Sequence, residues 1–268
     1  MKNYYDESKK HYGQNFLNDK SILSKIIQAI PKDTENIVEI GPGLGDLTQE
    51  LLKVSHVKAY EIDDDLIPIL RKKFQKELDC GKLNLLHQDA SKLACFDEKK
   101  YFLVANLPYY VASHLILQAL EDKNCSGLIV MVQKEMALKF CAHSGESDFS
   151  ALGVLSAMIC EREILFDVEP ECFNPPPKVV SAVMKMIKFR AYQDLCEIHA
   201  FKAFLKDCFK APRKQLLGNL KIHKAKLTEL FQELKLNLNL RPHELCVDSY
   251  LKIYEKVKEE YERKQQRK

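Results

Sequence analysis

No apolar run in the 268-residue chain approaches the ~18–20 residues that cross a bilayer, so no membrane-spanning helix is expected. The opening MKNYYDESKKHYGQ lacks the apolar core of a secretory signal, and its early Asp6 and Glu7 argue against a transit peptide. There is no CxxC, and the nine cysteines are never closer than 12 residues. That spacing excludes zinc ribbons and thioredoxin-type redox chemistry. An odd, dispersed thiol set fits a reducing cytosol, so a cytoplasmic protein without a metal site is expected. Internal repeats are absent. Apolar residues are not scarce: at 46% hydrophobic and 29% charged the chain is ordinarily globular, which excludes a disordered or acidic-tail protein. At ~100–200 residues per domain, the length allows one large domain, or a large one with a small companion.

The formal charge of +3 hides a split. Residues 1–189 hold 23 basic and 27 acidic side chains, and residues 190–268 hold 18 and 11, so −4 faces +7. A basic C-terminal piece suits nucleic-acid binding, and it equally suits a solvated helical face.

From 37 to about 133 strand and helix signals alternate. Apolar runs at 37–40, 57–60, 83–86, 102–105 and 128–132 read as strands, and helical spacing over 47–52, 66–74 and 113–120 lies among them. Near-continuous apolar strands alternating with helices predict an α/β fold, a parallel sheet covered on both faces. Such sheets bind ligands beyond their strand C-termini. Residues 142–150 read as a polar loop, 164–168 and 181–186 as strands, and Asn174–Pro177 as extended. From about 195 only helical spacing remains, at Phe201/Phe204/Leu205/Cys208, Leu227/Leu230/Phe231 and Leu251/Tyr254/Val257. The expected organisation is a domain over 1–189 and a small all-α domain over 190–268, its last charged residues frayed.

Four motifs carry chemistry. In Glu39-Ile40-Gly41-Pro42-Gly43-Leu44-Gly45, between a strand and a helix, glycines let the backbone approach a ligand. Glu61, 20 positions after Gly41, suits a carboxylate that accepts from ribose hydroxyls. The spacing G-x-G-x-G, with Asp46 at the helix start, disfavours a pyrophosphate. A phosphate-free, zwitterionic cofactor such as S-adenosylmethionine fits better. Asp89, in Gln88-Asp89-Ala90, can accept from an adenine amine or simply cap a turn. The second motif, Asn106-Leu107-Pro108-Tyr109, follows the fourth strand. An exocyclic nucleobase amine is a poor nucleophile because its lone pair is delocalised into the ring. The Asn106 side-chain oxygen and the Leu107 carbonyl can accept its two hydrogens and localise the lone pair. Pro108 fixes the turn, and Tyr109 offers a ring for the base to stack on. The third motif, Phe173-Asn174-Pro175-Pro176-Pro177-Lys178-Val179, can hold Phe173 over the other face of a flipped base with Lys178 near a phosphate, or be an edge linker. In the fourth, His11-Tyr12-Gly13-Gln14-Asn15-Phe16-Leu17, Asn15 can bond the cofactor and Phe16 can anchor the segment.

The ordered set GQNFL, EIGPGLGDLT, an acid after the second strand, QDA, NLPY and FNPPPKV resembles the ribosomal RNA adenine dimethyltransferases. The resemblance is strong over 11–189 and loose beyond. It implies a Rossmann-like class I methyltransferase sheet. It further implies S-adenosylmethionine contacts from Asn15, Leu17, Gly41, Gly43, Glu61, Ile62, Asp89, Ala90 and Asn106, with the target adenine held by Asn106, Leu107, Pro108, Tyr109 and Phe173. The product it implies is N6,N6-dimethyladenosine. One branch of the family modifies two adjacent adenosines near the 3′ end of small-subunit rRNA within an assembling subunit. PPPKV and Phe209-Lys210-Ala211-Pro212-Arg213-Lys214 resemble that branch, so Lys178, Arg213 and Lys214 are expected to meet RNA, and the free protein is expected to be a monomer. Tyr110 stands where Asn is usual, Val180 where Asp is usual, Ala151 where Arg is common, and Ala211-Pro212 replaces Gln-Arg. The erythromycin-resistance type, which modifies one adenine of large-subunit rRNA, and a non-catalytic ribosome-assembly RNA-binding factor are the alternatives within the family. A DNA amino-methylase would need a DNA-reading domain for which little chain remains, and a dehydrogenase would bind a nicotinamide.

Overall fold

The computed structural model describes residues 15–191, 198–220 and 222–265, so His11–Gln14 of the fourth motif lie outside it. The elements are β1 (Phe16–Leu17), α1 (Lys20–Ala29), β2 (Asn36–Ile40), α2 (Asp46–Val54), β3 (His56–Glu61), α3 (Leu66–Lys73), α4 (Gln75–Asp79), β4 (Leu83–His87), β5 (Tyr101–Asn106), α5 (Ala112–Glu121), β6 (Cys125–Gln133), α6 (Lys134–Cys141), α7 (Ala151–Ile159), β7 (Cys160–Val168), β8 (Phe173–Asn174) and β9 (Ser181–Lys188). Then come α8 (Ile198–Cys208), α9 (Leu216–Asn219), α10 (Lys224–Glu233) and α11 (Val247–Gln265).

Seven strands form one sheet in the order β4-β3-β2-β5-β6-β9-β7. The first five pair in parallel, as their apolar runs predict, and Val38, Leu103, Val104, Leu128 and Val130 are fully buried in its centre. β9 is antiparallel to both β6 and β7, so the sheet is mixed where the alternation predicts a purely parallel one. The reason is connectivity: no crossover helix separates β7 from β9, and a strand that returns without one runs antiparallel. α3 accommodates Pro68 in its first turn, where the missing N–H has no helical partner.

Two compact units result. The first runs to Ala137 and resumes at Cys160; the second takes Leu138–Ile159 and the described residues from Ile198 onward. This differs from a division at 189/190 by the second half of α6 and by α7, which packs with α8 and α11 in the second unit. Its sequence ALGVLSAMI is apolar on nearly every side, so it has no 3.6-residue pattern to read. Phe201, Phe204, Phe231, Tyr250 and Tyr254 fill the core of that unit, and the Tyr250 hydroxyl donates to the Pro242 carbonyl at 2.6 Å. α11 continues through Gln265, beyond the point where fraying is expected. Counted by unit, 23 basic and 25 acidic residues face 18 basic and 13 acidic ones, so the basic surplus of the second unit survives its redrawn boundary.

β6 and β9 approach closely at Gly127. A Cβ on Gly127 would lie 2.5 Å from the Met186 carbonyl oxygen and 2.8 Å from the Phe102 ring. Gly127→Ala is expected to destabilise the first unit by about 1–3 kcal/mol, the usual cost of overpacking. Urea unfolding checks this, and an unchanged midpoint would show that the two strands can part without penalty.

Candidate active site

From β2 the chain winds outward to β3 and β4, then crosses back to β5, so the strand order reverses between β2 and β5. Connections leaving those two strands in opposite directions open a crevice beyond their C-terminal ends. A cavity occupies that place. It is walled by Glu39–Leu44 after β2, Tyr60–Ile62 at the end of β3, Gln88–Ser91 after β4, Asn106–Val111 after β5, and Asn15–Leu17 from the N-terminal segment.

The glycine loop is held by Glu61. Its Oε2 accepts from the Gly43 N–H at 3.1 Å, and its Oε1 accepts from the Ile62 and Asp63 N–H groups at 2.9 Å each. Three of roughly four acceptor positions of the carboxylate are therefore used, one on the glycine loop and two on the turn that follows β3. Burial raises the carboxyl's pKa, and the three N–H bonds oppose that rise. Gly41 has φ +70°, and a Cβ there would meet nothing within 4 Å, so the loop leaves room on its cavity side. Gly43 has φ +60°, and a Cβ there would sit 3.1 Å from the Phe16 ring. Phe16 anchors its segment against this glycine, as expected of it.

The NLPY motif is tied down at both ends. The Asn106 amide nitrogen Nδ2 donates to the Asn15 carbonyl at 3.1 Å, which leaves Oδ1 as the acceptor. The Leu107 N–H donates to the Met131 carbonyl at 3.1 Å, and Val111 N–H closes a turn on the Pro108 carbonyl at 3.2 Å. The Tyr109 hydroxyl lies 2.8 Å from Ser181 Oγ, fixing the ring, and burial raises the phenol's pKa. The N-terminal and triple-proline motifs also meet: β1 and β8 pair antiparallel, Phe16 with Asn174 and Leu17 with Phe173. The Asn174–Pro175 peptide bond is cis.

Asn15, Leu17, Gly41, Gly43, Glu61, Ile62, Asp89, Ala90, Asn106, Leu107, Pro108 and Tyr109 all line the one cavity. Phe173 does not: it is 3% exposed and packed in the core with Phe16 and Leu17, because strand pairing turns it inward. Asp89 caps the turn through Oδ1, which accepts from Ser91 N–H at 3.0 Å and Ser91 Oγ at 2.6 Å, and the same residue lines the cavity. Those Ser91 bonds hold its pKa below the usual carboxylate value. Lys178 is exposed and does not line the cavity. In the second unit Arg213 and Lys214 line a concavity with Arg241, which lies 27 positions beyond Lys214 and gave no local signal.

Sequence reading also gave no role to Glu39, although an acid inside the strand NIVEI is itself a signal. Its side chain lines the cavity at 1% exposure, and its Oε2 accepts from Thr48 Oγ1 at 2.7 Å. Burial pushes its pKa up to about 8; the nearby Glu61 adds to the rise, while Thr48 and Lys73 oppose it. Lys73 itself donates to the Leu44 carbonyl at 2.8 Å and pairs with Asp46 at 3.3 Å. Of the four carboxyls on the lining, Glu39 keeps its proton near neutral pH, Asp46 pairs with Lys73, Asp89 pairs with Lys92 at 3.3 Å, and Glu61 accepts three backbone N–H bonds.

A carboxyl with a raised folded-state pKa holds a proton the unfolded chain has released. Stability therefore falls as pH rises from the ordinary 4.5 toward about 8, by up to ~1.4 kcal/mol per pH unit for one linked proton. Glu39→Gln, which keeps an acceptor for Thr48, is expected to flatten that fall. Melting temperatures of ligand-free protein at pH 5–8 test this, and parallel slopes in both proteins would refute it.

Comparison with known proteins follows the same lines. The ribosomal RNA adenine dimethylase family profile matches residues 5–259. A protein of Campylobacter jejuni strain RM1221, named ribosomal RNA small subunit methyltransferase A, is 74% identical, covering 97% of this chain and 98% of its own. A Helicobacter hepaticus protein of the same name is 43% identical over 94% and 92% of the two chains. Among solved structures, a dimethyladenosine transferase from Plasmodium falciparum superposes with a TM-score of 0.78 at 25% identity, covering 91% of this chain and 98% of its own. The 23S rRNA methyltransferase ErmE shares the fold with a TM-score of 0.72 at 22% identity, covering 91% and 99%. With a profile spanning nearly its whole length and relatives of this identity, the chain belongs to the ribosomal RNA adenine dimethylase family.

Proposed function

We propose that this chain uses S-adenosylmethionine to dimethylate the N6 amines of two adjacent adenosines near the 3′ end of small-subunit rRNA, within an assembling subunit. The observation that carries the reading is the Asn106 amide, whose donor nitrogen is engaged by Asn15 at the cavity wall. An acceptor oxygen held this way beside the Leu107 carbonyl suits a two-hydrogen amine. The 74% identity to a small-subunit enzyme over nearly the whole chain favours that branch over the large-subunit one.

The residues fit the methyl donor. Space beside Gly41 admits a ligand close to the backbone, and the carboxyls of Glu61 and Asp89 on the same lining are acceptors for its hydroxyl and amine groups. When bound, S-adenosylmethionine supplies an electrophilic methyl group. Asn15, Leu17, Gly41, Gly43, Glu61, Ile62, Asp89 and Ala90 are the residues that would hold it. Asn106 Oδ1 and the Leu107 carbonyl accept the amine hydrogens and localise the nitrogen lone pair. Tyr109, pinned through its hydroxyl, presents its ring to the base. No general base is required, because the nitrogen loses its proton readily once it carries the added substituent. Lys178, Arg213, Lys214 and Arg241 meet phosphates, which gives the basic surplus of the second unit its role. When not bound to a subunit the protein is a monomer, and it acts in the cytoplasm, where subunits assemble.

Asn106→Ala is expected to lower dimethyladenosine formation on unmodified small-subunit particles at least 100-fold while the chain stays folded, the lost bond to Asn15 costing about 0.5–1.5 kcal/mol of stability. Mass mapping of both rRNAs reads the product, and near-normal turnover would remove Asn106 from the mechanism. Glu61→Ala is expected to weaken cofactor binding about 10-fold or more by freeing the glycine loop; equal calorimetric affinities would contradict this. Deleting 190–268 is not a clean test of docking, because it strips the partners of Val154 and Leu155. The triple variant Arg213→Ala, Lys214→Ala, Arg241→Ala should instead reduce the slope of log affinity against log salt by roughly 2 or more, given ~0.7–0.9 per phosphate contact. An unchanged slope would remove the concavity from the RNA interface.

A further inference from the structure

Tyr110 is the most exposed large apolar side chain among those that stand out on the surface, at 67%, and it lies on the cavity wall. A single exposed aromatic is ordinary by itself. Its placement here is not, because the chain on both sides is fixed. Tyr109 is bound through its hydroxyl to Ser181, and the turn from Pro108 to Val111 closes with a 3.2 Å hydrogen bond. The turn therefore holds two consecutive rings, one half-buried and tied inside, the other presented at the mouth. Ser181 continues back to the exposed Lys178, only three residues away and within about 10 Å along extended chain.

A base drawn into the cavity leaves its neighbours on the strand at the mouth. Unpaired bases there expose their faces to water, and a rigid ring beside them offers a stacking surface with no hydrogen-bond demand. Lys178, within that reach of Ser181 along the chain, is an exposed cation available to the phosphate between the two nucleotides. We propose that Tyr110 is a binding platform for the nucleobase adjacent to the target adenosine, a second base subsite at the mouth of the cavity. The inference rests on the RNA reading above and adds a substrate requirement to it. The enzyme engages an unpaired dinucleotide, one base inside and one stacked outside, so two adjacent adenosines can exchange places between the subsites.

Small-subunit particles reconstituted around a synthetic 3′ fragment test this, with the full-length chain. Tyr110→Ala is expected to raise the KM for particles roughly 5- to 150-fold, the range that one stacked base supplies, while the cofactor KM changes less than about twofold. Tyr110→Phe should restore the value, and Tyr110→Leu should not, since leucine covers area without a π face. A fragment with an abasic site beside the target adenosine completes a double-mutant cycle. Coupling is expected: the abasic particle should weaken wild-type binding and leave Tyr110→Ala unaffected. Additive effects, an unchanged particle KM, rescue by leucine, or an equal loss of cofactor affinity would each overturn the subsite. If the wild-type chain forms no dimethyladenosine on intact particles, the functional reading itself fails and the subsite with it.

Discussion

A primary amide has two donors on one atom and its acceptor on the other, so committing the nitrogen settles where the oxygen points. The bond from Asn106 Nδ2 to the Asn15 carbonyl does this at the end of β5, across 91 positions of chain. Much of the first unit is arranged around it. β1 must lie against β8 to bring Asn15 to the cavity, Phe16 must seat on Gly43 to hold β1, and Glu61 must grip the Gly43 N–H to hold the glycine loop. Each contact belongs to a different motif, so the motifs are parts of one support rather than separate contributions to a list of ligand contacts.

The electrostatics follow from the same crowding. Bringing the ends of β2 and β3 together places Glu61 close enough to raise Glu39's cost of ionisation, as Asp63 does for Glu61, with burial the larger cause in both. Backbone N–H groups offset part of this for Glu61. Glu39 has only Thr48 and the more distant Lys73. Glu39 therefore meets the cost by keeping its proton near neutral pH, so it stands in the cavity wall as a neutral carboxylic acid rather than as a charge.

Local signals were legible where one segment settles its own structure. The five central strands stand out as apolar runs between breakers, and the glycine loop and NLPY stand out by order and context. What depends on distant pairing was not legible. Nothing in Phe173 tells that strand pairing will bury it, and nothing in Ser181 that it will meet Tyr109, 72 positions away. α7 escaped for the opposite reason: burial on nearly every side erases the periodicity by which a helix is recognised. Asp89 shows the limit of residue-type arguments, since the same carboxylate suits a cap and a ligand; it caps through Oδ1 and also lines the cavity, so residue type does not separate the two roles.

The second unit takes its chain from two separate stretches, with α7 supplied more than 35 residues before α8. This constrains how the protein can change over generations. A single recombination event near residue 190 would exchange α8–α11 while leaving behind a helix shaped for their predecessors. Val154 and Leu155 would then face a foreign core. Wholesale replacement of the helical unit needs two coordinated crossovers, so gradual substitution on its surface is the easier route to a new docking partner, and α7 must vary in step with the helices it packs on.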